Sequence, residues 1–353
     1  LASPAPHKAS RCAAAAAGYV GDSGNFNFNF THQTRDSTMH RNLFIRAVLA
    51  TTLATTGLFG SATTFAGAQH DGSAAEPLRV ILIPADGGTE DGTKKDFEPI
   101  FGAINQSTGL KFDIKVGQSY GAVVEAMCNG AADIAWFGPA SYLQARGRGC
   151  AELLALAVRH GESVYYSGIF ARTDAGINNV KDLKGKKIAL GDVNSTSSFN
   201  VPVAMMISAG VDPAKDAGMI NMAGTHANVI KALAEGLVDA GGASFDSFEK
   251  AVNAKAIDPA KVKVLVKSAP IPYPPLAMHP KLTEAVKTKL RDAFNNIDKL
   301  PGITKDQIRG YGGSKVDGYT SKVSEANMAA AGKMFELVTD QVKVEIMKKA
   351  DSR

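Results

Sequence analysis

The chain has 353 residues, 45% of them hydrophobic, and a formal net charge of +5, enough length for more than one core. The basic excess does not mark a nucleic-acid binder. The first 68 residues hold Lys8, Arg11, Arg35, Arg41 and Arg46 against Asp22 and Asp36, and without them the charge falls from +5 to +2.

Residues 1–38, with "NFNFNF", lack helical or strand patterning and are expected to be a non-native upstream extension. From Met39 the text "MHRNLFIRAVLATTLATTGLFGSATTFAGA" has a basic start, an apolar middle and Ala66-Gly67-Ala68. That layout predicts a signal peptide over 39–68, cleaved after Ala68. No later apolar run is long enough to span a bilayer, so the mature chain is expected to be a soluble periplasmic protein. Two of the three cysteines, Cys128 and Cys150, remain in it. In an oxidising compartment they could form a disulfide or stay as two buried thiols.

"LRVILIP" reads as a strand, "KKDFEPIFGAINQSTG" as a helix ended by Gly109, and "KFDIKVG" as a strand. "YGAVVEAMCNG" follows as a helix stopped at Gly130, and "DIAWFGP" as a third strand. Further on come "KKIALGD", a helix near 199–209, the helix "HANVIKALAEG", the short strand "DAGGAS" and "KVKVLVKS". Such alternation predicts an α/β protein of parallel sheets covered by helices. The chain leaves a first sheet near "YYSGIFARTDAGI" and returns through "SAPIPYPPLAMH", whose prolines forbid a regular central strand. Lobe 1 is therefore expected at 78–168 plus 275–348 and lobe 2 at 172–268, with a cleft between them and a hinge of two crossing strands.

The stretch "GDVNSTSSFNVP" places Ser195, Thr196, Ser197 and Ser198 between a strand and a helix N-terminus. Unpaired N–H groups and the positive end of the helix dipole favour an oxyanion there, and hydroxyls add movable donors. On this stretch alone the plainer reading is that one Ser caps the helix and the others are solvated. "GTHANVIKALAEGLVDAGGASFDSFEK" puts His226 in a corresponding loop and Asp246 just past a further strand end. In an α/β sheet such positions converge on one crevice.

The segments "SYGAVVEAM", "DIAWFGPASYL", "GIFARTDAGINNVKDLKGKKIALGDVNSTSS" and "THANVIKALAEGLVDAG" followed by Asp246 carry a resemblance. Over roughly 78–342 the chain resembles the periplasmic binding proteins of phosphate, phosphite and phosphonate ABC transporters. The resemblance implies the two-lobe periplasmic binding protein fold (type II). It also implies that Ser195, Thr196, Ser197 and His226 hold phosphorus-bound oxygens from one lobe while Tyr120 and Tyr165 close from the other. Tyr165 and Tyr166 point to opposite faces of a strand, so one of them serves, and Tyr165 is the choice. Asp246 is expected to accept from a protonated ligand oxygen or to hold a neighbouring donor, since an acid beside an anion is otherwise unfavourable. That arrangement should discriminate against sulfate. Relatives that take amino-bearing phosphonates have an acidic residue in the proline-rich return loop, where "PIPYPP" offers Tyr273. This points to phosphite, methylphosphonate or phosphate as ligand. A transporter permease is the implied partner, with a monomeric protein, no cofactor and no nucleic acid.

Two rival readings have sequence support. "GQSYG" matches G-x-S-x-G, and Ser119, Asp246 and His279 follow the hydrolase order, although too few strands precede Ser119 for a nucleophile elbow. The resemblance also implies a second role, since relatives of this family serve as two-component sensors with a histidine kinase as partner, and such a domain could take arsenite on thiolates at Cys128 or Cys150. The plainer expectation packs Cys128 as a free thiol in a helix core. The scattered histidines have no zinc-site spacing, and there is no phosphate-loop motif.

Overall fold

The computed structural model describes residues 70–85 and 90–352. The expected extension and signal peptide lie outside the described residues. Strand β1 (Leu78–Leu82) leads to helix α1 (Glu90–Thr108), β2 (Phe112–Val116), α2 (Tyr120–Cys128), β3 (Ile134–Trp136), α3 (Pro139–Gly147) and β4 (Glu152–Val158). Two-residue β5 (Val164–Tyr165) precedes β6 (Ser167–Arg172), β7 (Lys187–Gly191), α4 (Val201–Ser208), α5 (Pro213–Asp216), β8 (Met219–Gly224), α6 (His226–Ala234), β9 (Ala240–Ser244), α7 (Phe245–Asn253) and β10 (Val262–Lys267). The chain returns through β11 (Ile271–Pro272) and β12 (Leu276–Met278), then forms α8 (Glu284–Asn295), β13 (Gly318–Thr320), α9 (Glu325–Lys333) and α10 (Asp340–Asp351).

Two sheets result. The first has the order β13-β4-β12-β3-β1-β2, the second β10-β6-β9-β7-β8. Strands β2, β1 and β3 run parallel, as do β9, β7 and β8, because a helix intervenes in each connection. In the second sheet side chains alternate between two cores. Ile169, Ala171, Ile188 and Leu190 pack on one face with Phe199 and Val211, whereas Phe170 and Ala189 pack on the other with Val229 and Leu233. The two-residue period of a strand buried on both faces produces that division. The first sheet has its own core around Leu78, Val80, Ile134, Phe137 and Phe294.

The lobes are joined where β5 pairs antiparallel with β11, Ile271 opposite Tyr165. The observed elements depart from the expected lobe boundaries in two places. The second sheet already begins at Ser167, opposite Ser244. Residues up to 348 were expected wholly in the first lobe, but α10 carries Ile346 and Ala350 into the core of the second. Its apolar residues fit the uncovered side of β8, which a sequence pattern cannot assign to one lobe rather than another. The run between α9 and α10 is thus a third connection, and Phe335 packs against both cores.

A disulfide joins Cys128, at the end of α2, to Cys150, just beyond α3. This corrects the expectation of a free Cys128 thiol. The α2–α3 pair brings the two chain ends together (Cα–Cα 4.9 Å), a distance compatible with a disulfide. Neither sulfur is then a thiolate, so the thiol basis for arsenite binding is absent at these two residues. No helix among the described residues is long and apolar enough to cross a membrane.

Candidate functional site

Three of the helices whose first turns meet between the lobes begin with Ser or Thr caps. Ser119 caps α2, Thr225 caps α6 and Ser244 caps α7, each accepting a hydrogen bond from a first-turn N–H. The hydroxyl run is built more tightly. Strand β7 ends at Gly191, where a Cβ would lie 2.7 Å from the Cβ of Ser198, so a glycine is needed for this close approach. Ser195 Oγ accepts from the Ser198 N–H at 3.3 Å and from the Ser198 hydroxyl at 2.7 Å. Residues Thr196–Asn200 then form a single π-turn ahead of α4, whose first closing bond runs from Asn200 N–H to Ser195 O at 3.0 Å. The wider turn leaves the N–H groups of residues 196–199 without carbonyl partners inside the helix. Ser195, Thr196 and Ser197 are each 1% exposed. Ser195 therefore does cap, but the run as a whole is buried rather than solvated.

Thr196 reaches across the cleft, its Oγ1 accepting from the Ala140 N–H in the first turn of α3 at 2.8 Å. The Ser197 carbonyl accepts from Ser167 Oγ at 2.7 Å, which fixes the turn to the sheet. His226 is the first residue of α6 and fully buried. Its Nδ1 accepts the Ser244 N–H at 3.0 Å, so in a neutral imidazole the proton lies on Nε2. From there Nε2–H donates to Tyr311 Oη at 2.5 Å, with Ser195 Oγ at 3.4 Å. Both hydroxyls therefore direct their own protons away from the ring.

Three tyrosines of the first lobe complete the cluster. Tyr120 opens α2, is 1% exposed, and its hydroxyl makes no hydrogen bond among the described residues. Burial raises its pKa, and the hydroxyls of Tyr311 and Ser195 lie near enough to oppose that rise in part. Tyr165, on hinge strand β5, is buried with its hydroxyl near Ser197 and Thr196. Tyr166 faces away, its ring beneath the Lys267 ammonium at 3.7 Å. Tyr311 has its ring 5.4 Å from that of Tyr165 and 5.5 Å from Trp136. Tyr273 differs from expectation: its hydroxyl accepts the Tyr311 N–H at 2.9 Å and lies 3.2 Å from Ser314 Oγ. It holds Tyr311 in place. The sequence reading missed Tyr311, which sits in a Gly-flanked turn, "GYGG", outside any periodic segment.

Asp246, on the first turn of α7, is 5% exposed and accepts from Arg159 Nη1 at 2.7 Å. Arg159 follows β4 in the first lobe and also reaches Glu249 at 3.4 Å. Of the two roles expected for Asp246, holding a neighbouring donor is the one these contacts display. Arg159 was likewise missed, because nothing about "AVRHG" marks it. A second carboxylate bridges the lobes: Asp192 accepts the Tyr120 N–H at 3.1 Å and the Asn194 N–H at 2.7 Å. Burial pushes its carboxyl above the ordinary 3.8 despite those two bonds.

The rival triad is not assembled. Ser119 lies beyond the C-terminal end of β2, where it accepts from the Ala122 N–H at 3.0 Å. His279 lies beside Asp133, just past interior strand β12 and at the opposite end of the strands of that sheet, its Nδ1 accepting from the Lys281 N–H. Chemically, the cluster between the lobes offers neutral O–H, imidazole N–H and backbone N–H donors in a nearly dry site. That suits an oxyanion with several acceptor oxygens.

The family model described as "ABC transporter, phosphonate, periplasmic substrate-binding protein" matches residues 87–313. The phosphonates-binding periplasmic protein of Escherichia coli is 28% identical over 262 residues, 73% of this chain and 76% of that one. The phosphate-import protein PhnD of Mycolicibacterium smegmatis is 31% identical over 62% of this chain and 71% of its own. Among solved structures, PhnD1 of Prochlorococcus marinus in complex with methylphosphonate superposes with a TM-score of 0.64 at 19% identity, covering 74% of this chain and 97% of that one. A binding protein component of an ABC phosphonate transporter from Pseudomonas aeruginosa gives 0.62 at 21%, with 77% and 98% covered. These likenesses identify the two-lobe fold.

Proposed function

The chain belongs to the phosphonate family of ABC-transporter periplasmic substrate-binding proteins, and from that premise we propose that it captures phosphite, methylphosphonate or phosphate between its lobes. As a member of that family it is a binding protein, not an enzyme, and its implied partners are a small ligand and a transporter permease. Export through the signal peptide at 39–68 belongs to the same proposal.

The observation that carries the reading is the buried Tyr120 hydroxyl, without a hydrogen-bond partner among the described residues and facing a run of buried hydroxyls from the other lobe. A buried polar group left unmatched is unfavourable by about 1–3 kcal/mol, and a phosphorus-bound oxygen would satisfy it. In this scheme Tyr120 and Tyr165 donate from the first lobe, and Ser195, Thr196, Ser197 and the π-turn N–H groups from the second. His226 positions Ser195 and Tyr311 and can turn its Nε2–H to the ligand. Tyr311 adds a further hydroxyl, and Tyr273 supports it. Trp136 and the rings of Tyr165, Tyr273 and Tyr311 pack on one another beside the hydroxyl cluster, and in this scheme they would crowd a large substituent on phosphorus. The phosphate named for the mycobacterial relative and the methylphosphonate bound to the Prochlorococcus protein fall in the same ligand class.

Isothermal calorimetry against phosphite, methylphosphonate, phosphate, 2-aminoethylphosphonate, sulfate and arsenite is the direct test. Tight binding of at least one of the first three, with sulfate much weaker, is expected. Binding of arsenite alone would sink the reading.

A further inference from the structure

Asp246 presents a difficulty for any anion site. A buried carboxylate beside a phosphorus oxyanion repels it, and a ligand with a cationic tail would relieve that repulsion by pairing with the acid. In this protein the pairing is already made. Arg159 Nη1 lies 2.7 Å from Asp246 Oδ1, with the carboxylate 4% and the guanidinium side chain 31% exposed. The two residues come from opposite lobes, so the pair forms where the lobes meet.

The ion pair stands against the ligand cluster, not apart from it. Ser314 Oγ is 3.5 Å from the same Asp246 oxygen and 3.2 Å from the Tyr273 hydroxyl, which in turn fixes Tyr311. The Asp246 charge acts on both Tyr165 and Tyr273. Two residues before Asp246, the Ser244 N–H sets the tautomer of His226. Whatever extends from the phosphorus towards this side meets Asp246 with a guanidinium already on it.

We propose that Arg159 is a specificity-determining residue. Its guanidinium takes the acceptor side of Asp246 that an ammonium tail would otherwise use, so the closed site admits phosphorus oxyanions bearing no substituent or a small neutral one and refuses aminoalkyl phosphonates. This rests on the functional reading above and gives it a cause for selectivity. An ammonium entering the closed site would have to displace Arg159 or stay unpaired in a desolvated pocket, and either is unfavourable. Glu249, 3.4 Å from Arg159 Nη2 and 55% exposed, steadies the guanidinium from the rim.

The test is a selectivity ratio rather than an affinity, because loss of an inter-lobe ion pair could weaken every ligand alike. Methylphosphonate and 2-aminoethylphosphonate are titrated by calorimetry into the wild type, Arg159→Gln, Arg159→Lys and the double variant Arg159→Gln/Asp246→Asn, each checked for folding by its thermal transition. Arg159→Gln should raise the affinity of 2-aminoethylphosphonate relative to methylphosphonate by about tenfold or more. Arg159→Lys, which keeps the charge, should hold the wild-type ratio, and the double variant should lose the gain. An unchanged ratio in Arg159→Gln, or a wild type that binds both ligands equally, overturns the role of Arg159 while leaving the functional reading intact. A wild type that binds none of phosphite, methylphosphonate or phosphate overturns both.

Discussion

Tyr120 and Thr196 bear on the same closed site from opposite lobes, yet their substitutions should behave differently. Tyr120→Phe deletes a hydroxyl that no described residue engages, so the ligand-free protein should keep or slightly raise its melting temperature. Its affinity for the cognate oxyanion should nevertheless fall by roughly 1.5–3 kcal/mol, about ten- to a hundredfold, as read by calorimetry. Thr196→Ala also strands the Ala140 N–H, so it should weaken binding by a similar amount, and Thr196→Ser should restore it. Equal affinity in Tyr120→Phe and wild type would place the ligand elsewhere. The hydroxyl run and His226 were readable in the sequence because strand ends and helix starts bring such positions together in any α/β sheet. Tyr311 and Arg159 were not. Each lies in an irregular segment, and it joins the cluster only through long-range packing that no local pattern encodes.

Among the elements, the α2–α3 pair invites a direct measurement. Both helices begin at the candidate site, one with Tyr120 and the other donating the Ala140 N–H, and their far ends are joined by the Cys128–Cys150 disulfide. The bond closes a loop across a sequence separation of 22 residues, for which loop-closure entropy suggests about 3 kcal/mol of stabilisation. Replacing both cysteines by serine should lower the thermal midpoint by about 5–10 °C, and a midpoint unaffected by the change or by reductant would refute the crosslink. Sequence periodicity located β1, β2, β3, β7, β9 and β10 and the helices with clear stops, but not β12, where Leu276–Met278, just past the prolines, form a central strand between β4 and β3. It did not distinguish "AELLALAV", now β4, from a short buried helix, since a continuous apolar run fits either. Nor did it register α3, whose nine residues begin with Pro139 directly after Gly138 and are too few to show a repeat.

For the molecule as a whole, the number of buried phenols sets the alkaline limit of stability. Burial pushes Tyr120, Tyr142, Tyr165, Tyr273 and Tyr319 above the ordinary 10.0. In each the folded state holds its proton more firmly than the unfolded chain does. Their contribution is therefore complete below pH 10.0 and is lost as the pH climbs past it, because the unfolded chain ionises first. Absorbance of tyrosinate near 295 nm should accordingly rise together with the loss of circular dichroism, in one step that ligand shifts to higher pH. Separate ionisation of these tyrosines in a still-folded protein would contradict their burial.

The run between α9 and α10 bears on how the lobes can part. Two hinge strands alone would let one lobe swing and twist about the other like a door on a cord. Here the chain passes over a third time, with Phe335 set against both cores and α10 seated on β8. A third attachment restrains the twist of one lobe against the other. With that twist restrained, the Tyr120 and Thr196 sides of the cleft would return to nearly the same register at each closing, so the fidelity of the proposed recognition should depend in part on how α10 is seated on β8.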